Sequence, residues 1–562
     1  MLSPASARLA KERQAMEILN RSREAIIAAT VSASGASERP GNLARPDVVA
    51  DSAATKNYNG DAETGCFDQS KPNGLPLIID QANIRCLGRL PWRTFGLSDS
   101  AFSESDPTGT MPWYAVSGNL AFQKCVEFIN PDLLAFTYVG HICPATGLGT
   151  PISLPYPWLT VRDSRGVVVS DRVAVVIIVP GAAINGQVRS PSPNLSGPTH
   201  YLDSATVTVT SVTAGCAAPP CTLTFNNADL DNDFIQADNS ETFNDRLIYI
   251  TIDELMEKIE ARAGQEMRAS VERFRQQYGS FPWLAPFADP TSYANYRALT
   301  GARVGLIPYY KTSRPFVTDF SWQVTGGIVD IFSIFSASDL RNTLSSLTVT
   351  NGSCVWTDSK SVNCSGEILN PKPGVARRVV QIEYPTSWTN RVVTNAPATA
   401  TTHAVRQVTR PNGALSACLT TSLIRCVIVT DYNAAGGVIG KGELGTGTGT
   451  LVTSKIRIYP ELPAWITENR WQEFAVGAIA PGWAPGGGSA CPCLTANLDS
   501  TAERNDLRFL VMMSGAKLAG QTRPSASPND YFDSLNNRNV STGQVFDRQN
   551  ILSSSFNDRL YY

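Results

Sequence analysis

The sequence predicts an α+β protein built of two tandem modules, each a long helix followed by an antiparallel β-sheet, with a β-rich domain inserted into the second. Three observations support this. A polar motif recurs: Gly181, Ala182, Gly186, Gln187 and Arg189, followed by Tyr-Leu-Asp-Ser from Tyr201, return as Gly515, Ala516, Gly520, Gln521 and Arg523, followed by Tyr-Phe-Asp-Ser from Tyr531. Each copy then closes on Phe-Asn-Asp-Arg-Leu, at Phe243 and at Phe556, and each lies downstream of a long helical pattern. Matching order in two places is the signature of a duplicated unit. The implied organisation is a first module over 1–250, a second over 251–330 and 459–562, and an inserted domain over 331–458.

The first helix is expected over Ser6–Ala33, where Leu9, Met16, Leu19, Ile26 and Ile27 oppose Lys11, Gln14, Glu17 and Arg21, with Glu12 and Arg23 interrupting the stripe. The second is expected over Thr251–Tyr278. Thr251 with Glu254 makes a capping box, and Gly279 and Pro282 end the run. After each helix come a Pro-rich loop and two matched segments. Gly88-Arg-Leu-Pro-Trp pairs with Gly305-Leu-Ile-Pro-Tyr, and Trp113 to Gly118 with Trp322 to Gly327. Val167–Val179 and Leu507–Met513 are apolar, partly β-branched runs, as buried central strands require. Within the insertion, Ser346–Thr350, Val375–Tyr384, Ser422–Asp431 and Thr450–Tyr459 read as strands.

At 562 residues the chain exceeds what one core supports, and 43% hydrophobic content is enough for two. With 47 basic and 49 acidic residues the electrostatic footprint of a general nucleic-acid binder is missing, so no nucleic acid is expected as a partner. The twelve cysteines fall into sequence neighbours: Cys66/Cys86, Cys125/Cys143, Cys216/Cys221, Cys354/Cys364, Cys418/Cys426 and Cys491/Cys493. An even set of short Cys-closed loops fits disulfides formed in an oxidising compartment. No run of 18 apolar residues occurs, and Met1 does not open a signal peptide; the expectation is a chain that starts downstream of a removed export or anchor segment.

Catalytic signatures are sparse. The histidines, His141, His200 and His403, form no HxxxH or HExxH pattern, and no GxSxG or phosphate-binding loop follows a strand. The candidate calcium ligands are the alternating Asp229, Asp231 and Asp233, where no turn glycine and no closing bidentate Glu follow, and the cluster Asn59, Asp61 and Glu63, where Gly60 either lets carboxylates converge on a cation or simply makes a turn. The repeated Gly-Gln-x-Arg reads chiefly as a structural element that satisfies loop carbonyls beyond a buried strand, with ligand binding as the alternative. In the Phe-Asn-Asp-Arg-Leu motifs, Asp and Arg are expected to fix a turn before an edge strand.

Several segments resemble the bacterial type IV pilin-like and pseudopilin family: the helix ending Arg23-Glu-Ala-Ile-Ile-Ala-Ala-Thr, the Pro40-Gly-x-Leu-x-x-Pro stretch, Gly-Arg-Leu-Pro-Trp at Gly88, Trp113-Tyr-Ala-Val, and Pro463-Ala-Trp-Ile-Thr-Glu-Asn-Arg-Trp. Departures are the missing apolar N-terminal segment and the second helix, whose Glu254, Glu257, Lys258, Glu260 and Arg262 rule out a second membrane segment. The resemblance implies a non-enzymatic subunit of a type IV pilus or secretion pseudopilus, minor or tip-located and extracytoplasmic. It would be anchored in the inner membrane before assembly and joined to other pilin subunits through Leu9, Met16 and Leu19. The rival reading is a free secreted binding protein or adhesin that takes a surface ligand on its β-insertion. An extracellular hydrolase is a third, weakened because no carboxylate pair stands out.

Overall fold

The computed structural model describes residues 4–33, 39–47, 60–62, 85–98, 111–117, 120, 128–132, 158–184, 186–189, 198–210, 212, 215–229, 231–278, 280–296, 298–299, 301–309, 459–485, 487–488 and 491–562, and between 316 and 457 chiefly the backbone of the strands. It is a mixed α/β protein with several sheets and few helices. Two compact units are formed, Met1–Arg262 with Glu468–Arg470, and Ala263–Thr467 with Trp471–Tyr562.

Unit one opens with helix α1 (Pro4–Ser32). Its strands are β1 (Arg85–Arg89), β2 (Trp113–Ser117), β3 (Leu159–Arg162), β4 (Val168–Val179), β5 (Ser204–Val209), β6 (Cys221–Asn226), β7 (Asp233–Ile235) and β8 (Arg246–Thr251). The main sheet runs β1-β2-β4-β3-β7, with β8 also on β4, while β5 and β6 form a separate hairpin. The long strand β4 is central because its second half is apolar on both faces. Val173 to Ile178 are all fully buried, and each Val or Ile contributes roughly 1.5–3 kcal/mol when so buried. Trp113, Tyr201, Leu202 and Phe234 complete that core.

Helix α2 (Ile252–Tyr278) starts as expected, the Glu254 N–H donating to Thr251 Oγ1 at 3.2 Å. The division between the units falls within this helix. Unit two then supplies β9 (Val304–Leu306), and later β21 (Ala475–Ile479), β22 (Leu494–Leu498), β23 (Thr501–Leu507), β24 (Phe509–Met513), β25 (Val545–Arg548) and β26 (Arg559–Tyr561). Here the sheet is β26-β24-β21-β9, beside a smaller sheet β23-β22-β25.

Matching strand registers occur in the two units. Gly88 faces Tyr114 and Gly305 faces Gly477; Trp113 faces Ile178 and Val476 faces Met512. Ile178 faces Leu247 and Met512 faces Leu560; Leu159 faces Val173 and Leu494 faces Leu507. An isolated bridge follows each helix, Asp47 to Arg89 and Ala285 to Leu306. The main difference is that β4 is continuous whereas β23 and β24 are separated at Arg508.

Two expectations need correction. The sheets are not wholly antiparallel, since β3 pairs with β7 and β22 with β25 in parallel. In each case the chain makes an excursion and returns in its original direction. The counterpart of Trp113–Ser117 is β21, not the Trp322 segment. Trp322 lies in β10 (Phe316–Val324), which belongs to the inserted region, and the apparent likeness reflects strand composition alone.

That region continues with β11 (Asp330–Ser333), β12 (Leu347–Thr350), β13 (Ser353–Trp356), β14 (Val362–Leu369), β15 (Arg377–Glu383), β16 (Val392–Ala396), β17 (Val405–Thr409), β18 (Val427–Tyr432), β19 (Val438–Leu444) and β20 (Gly449–Arg457). They form two antiparallel sheets, β12-β10-β20-β17-β16 and β11-β19-β18-β15-β14-β13. Its first and last strands, β10 and β20, pair with each other, which lets an insertion leave and rejoin its host at neighbouring points.

Candidate functional site: a polar clasp present twice

Where β4 ends, the chain turns back across the sheet through the Gly-Gln-x-Arg segment, and side chains rather than strand ladders satisfy the backbone. Gln187 accepts the Ile184 N–H at 3.3 Å and donates to Asp203 Oδ1 at 2.8 Å. Arg189 donates to the carbonyls of Gly181 at 2.5 Å, His200 at 3.2 Å and Tyr201 at 3.3 Å, and to Gln187 Oε1 at 2.9 Å. The Asp203 N–H donates to Asp245 Oδ2 at 2.8 Å, and Asp203 Oδ2 accepts the Asn244 N–H at 2.7 Å. Asn227 donates to Asp245 Oδ2 at 3.1 Å and exchanges two bonds with the backbone of Ile235. The recurring loop, the edge strand β8 and the parallel strand β7 are thereby fastened at one point.

Unit two repeats this bond for bond. Gln521 accepts the Leu518 N–H at 2.9 Å and donates to Asp533 Oδ1 at 3.0 Å. Arg523 donates to Gly515 O at 2.8 Å, Asp530 O at 2.8 Å, Tyr531 O at 3.1 Å and Gln521 Oε1 at 3.1 Å. Asp558 Oδ2 accepts from the Asp533 N–H at 2.8 Å and from Asn537 at 2.7 Å, and Asn537 exchanges two bonds with Asp547. Tyr201 and Tyr531 lie under the two arginines, whose guanidinium carbons sit 5.2 and 4.9 Å from the ring centres. Glycine is required where each clasp begins. A Cβ on Gly181 would run into the Asn244 side chain, and one on Gly515 (φ 58°) would stand 2.7 Å from Asn557 Oδ1. Gly515→Ala is therefore expected to lower stability by about 2 kcal/mol or more, read from a denaturant titration.

Each clasp contains two carboxyl groups and one guanidinium. Burial pushes Asp245 up to about 8, reinforced by repulsion from Asp203 and opposed by hydrogen bonds from Asp203 and Asn227 and by Arg189. Burial and repulsion from Asp533 likewise raise Asp558 well above the carboxylate range. Burial also raises Asp203 and Asp533. One arginine can compensate one carboxylate, and burial favours the protonated form of the second carboxyl of each pair. Asp245 and Asp558 are closed off from solvent, with exposures of 1% and 0%. This geometry fastens the loop and the strands around a buried carboxyl. In sequence, the repeated Asp of each motif pointed here, but the partnership of the two motifs was not visible. Asn227 and Asn537 were missed because they lie outside both.

Among the described residues, the candidate metal ligands are engaged with their own loop or with an arginine. Asp229 Oδ1 accepts the Asp231 N–H at 3.2 Å, Asp231 Oδ1 accepts the Asp233 N–H at 2.9 Å, and Asp233 pairs with Arg162 at 3.3 Å. The carboxylates thus stabilise successive turns of their own loop. Asp61 pairs with Arg93 at 3.2 Å, while Asn59 and Glu63 lie outside the described residues. No group of three or more His, Cys, Asp or Glu side chains that could hold a metal occurs among the described residues.

Of the cysteine pairs, the sulfurs of Cys216 and Cys221 are 1.98 Å apart and those of Cys491 and Cys493 1.88 Å apart. Cys354 and Cys364 are direct partners across β13 and β14. Cys86 lies in β1, and Cys66, Cys125, Cys143, Cys418 and Cys426 fall outside the described residues.

Along α1 the burial changes midway. Leu9 and Met16 are 55% and 42% exposed, whereas Leu19, Ser22, Ile26 and Thr30 are buried at helical spacing. Leu19 therefore serves the core of unit one, not an outward face. The small polar Ser22 and Thr30 extend a buried stripe that hydrophobicity alone does not show. No helix among the described residues is long and apolar enough to cross a membrane. Comparison with protein families, with curated proteins and with solved structures yields no match.

Proposed function

We propose that the chain is a non-enzymatic structural subunit of a type IV pilus or secretion pseudopilus, minor or tip-located, which displays both units and the β-insertion outside the cytoplasm. The observation that carries this reading is the division of α1. Its C-terminal half is built into unit one, while Leu9 and Met16 in its N-terminal half stay exposed. A helix emerging from a head with uncovered apolar side chains suits packing among the helices of other subunits. The charged second helix and the duplicated clasp then belong to an enlarged head. The competing reading is a free secreted binding protein, supported by the extent of the two-sheet insertion.

The test is Leu9→Asp combined with Met16→Asp in the native gene. Burying each of these side chains against partners is worth roughly 1.5–3 kcal/mol, so recovery in sheared filament fractions should fall tenfold or more while the head keeps its melting temperature. Wild-type recovery of the double variant, or a wild-type protein found free in the medium, would favour the secreted reading.

A further inference from the structure

We propose that Cys491-Pro492-Cys493 is a thiol–disulfide exchange site that reacts with dithiol substrates, and that it is not a structural staple. This does not rest on the filament reading. The duplication supplies the argument. Leu494 faces Leu507 as Leu159 faces Val173, and Thr495 pairs with Val545 as Thr160 pairs with Asp233. In sequence, Cys491-Pro492-Cys493-Leu494-Thr495 therefore stands where unit one has Tyr156-Pro157-Trp158-Leu159-Thr160. Unit one starts the same strand with no cysteine, so the fold does not need a disulfide there. The sulfur pair is an addition to a scaffold that forms without it.

Its setting also differs from that of the other described pair. Cys216 is 1% exposed within the apolar cluster of Val209, Phe225, Ile235 and Phe243, and the partly buried Cys221 packs against it. Cys491 and Pro492 are exposed and Cys493 is partly so. The ring closes across a single residue. Cross-linking stabilises by removing loop entropy from the unfolded chain, and that gain is smallest for the shortest loops. A disulfide that restrains so little and lies open to attack is of the labile, exchanging kind.

The reaction is two successive displacements. A thiolate of the dithiol attacks Sγ of Cys491 or Cys493, the S–S bond breaks, and a mixed disulfide forms as the other cysteine leaves as thiolate. The second thiol of the dithiol then closes its own disulfide and expels the remaining cysteine. Two electrons and two protons pass from the dithiol to the pair, and the dithiol is oxidised once per chain.

The oxidised protein is equilibrated across ratios of reduced to oxidised dithiothreitol, trapped by alkylation and read by peptide mass, with circular dichroism in parallel. Cys491 and Cys493 are expected to be half-reduced at a ratio ~10-fold or more lower than Cys216 and Cys221, with the spectrum unchanged. A second measurement mixes oxidised protein with one equivalent of a reduced CxxC peptide. Wild type should oxidise it, while Cys491→Tyr with Cys493→Trp, which copies unit one and should fold, should not. Half-reduction at the same or a higher ratio than Cys216 and Cys221, loss of the spectrum on reduction, or undiminished peptide oxidation by the double variant would each overturn the proposal.

Discussion

Arg523→Ala is expected to destabilise the protein by about 3–5 kcal/mol, with Arg189→Ala close behind, the range seen when one member of a buried charged network is removed. The reason is what each guanidinium leaves behind. Without Arg523, the carbonyls of Gly515, Ser514, Asp530 and Tyr531 lose a donor, and Asp533 loses a positive charge that offsets it. Buried acceptors without donors cost about 1–3 kcal/mol each before relaxation. Lys at either position should recover little, because one ammonium cannot reach carbonyls that a planar fork spans. The measurement is the guanidinium chloride midpoint of each variant, with limited proteolysis locating the unit that opens. Losses under about 1 kcal/mol for both Ala variants would mean that the clasps are ornaments of the fold and not its fasteners.

The degree to which the sequence disclosed this fold depended on the range of the interaction. Helix α2 was legible because capping and termination are local: Thr251 and Glu254 are three residues apart and Gly279 adjoins the end. The duplication was legible because the clasps need the same side chains in the same order. Gln187, Arg189, Asp203 and Asp245 cannot be exchanged without losing bonds, so the motifs persist where surrounding residues diverge. Strand partnerships were not legible in the same way. Trp113 resembled Trp322 in local pattern, yet its strand corresponds to β21, whose Ala-Val-Gly-Ala-Ile shares only burial with Trp-Tyr-Ala-Val-Ser. Any small or apolar residue fits a fully buried ladder, so register and not composition identifies the counterpart.

The two clasps also tolerate different contents. Between Asp203 and Asn227 unit one carries the β5–β6 hairpin, whereas between Asp533 and Asn537 unit two carries the start of a single helical turn, with Ser534 accepting the Asn537 N–H at 3.1 Å. The carboxyl pair and its asparagine keep the same bonds in both. Divergence is thus confined to the excursion, and the fastening point sets what may vary.

The second large expected effect is a loss of stability as pH rises from about 5 to about 8. A carboxyl whose folded value lies above its unfolded 3.8 binds more protons in the folded state, so its stabilising contribution is complete below about 4 and is lost as pH climbs through the folded value, for Asp245 about 8. Asp558 is shifted in the same direction and adds to the effect. A change of one in pKa corresponds to about 1.4 kcal/mol, so Asp245 alone contributes on the order of a few kcal/mol across this window. Carboxylates shifted the other way, such as Glu503, Asp506 and Asp530, which are lowered by hydrogen bonds from Arg548, Arg504 and Ser525, stay ionised in both the folded and the unfolded chain above about pH 5 and leave the slope in this window unchanged. Urea titrations at about pH 5, 6.5 and 8 should show the unfolding free energy falling. Asp558→Asn provides the control, because an amide keeps an acceptor for the Asp533 N–H and for Asn537, offers a donor towards Asp533 and cannot ionise. The variant should fold at neutral pH with a visibly shallower slope. A wild-type profile that is flat or rises across this window, or an unchanged slope in Asp558→Asn, would show that the paired carboxyls do not share a proton as their burial requires.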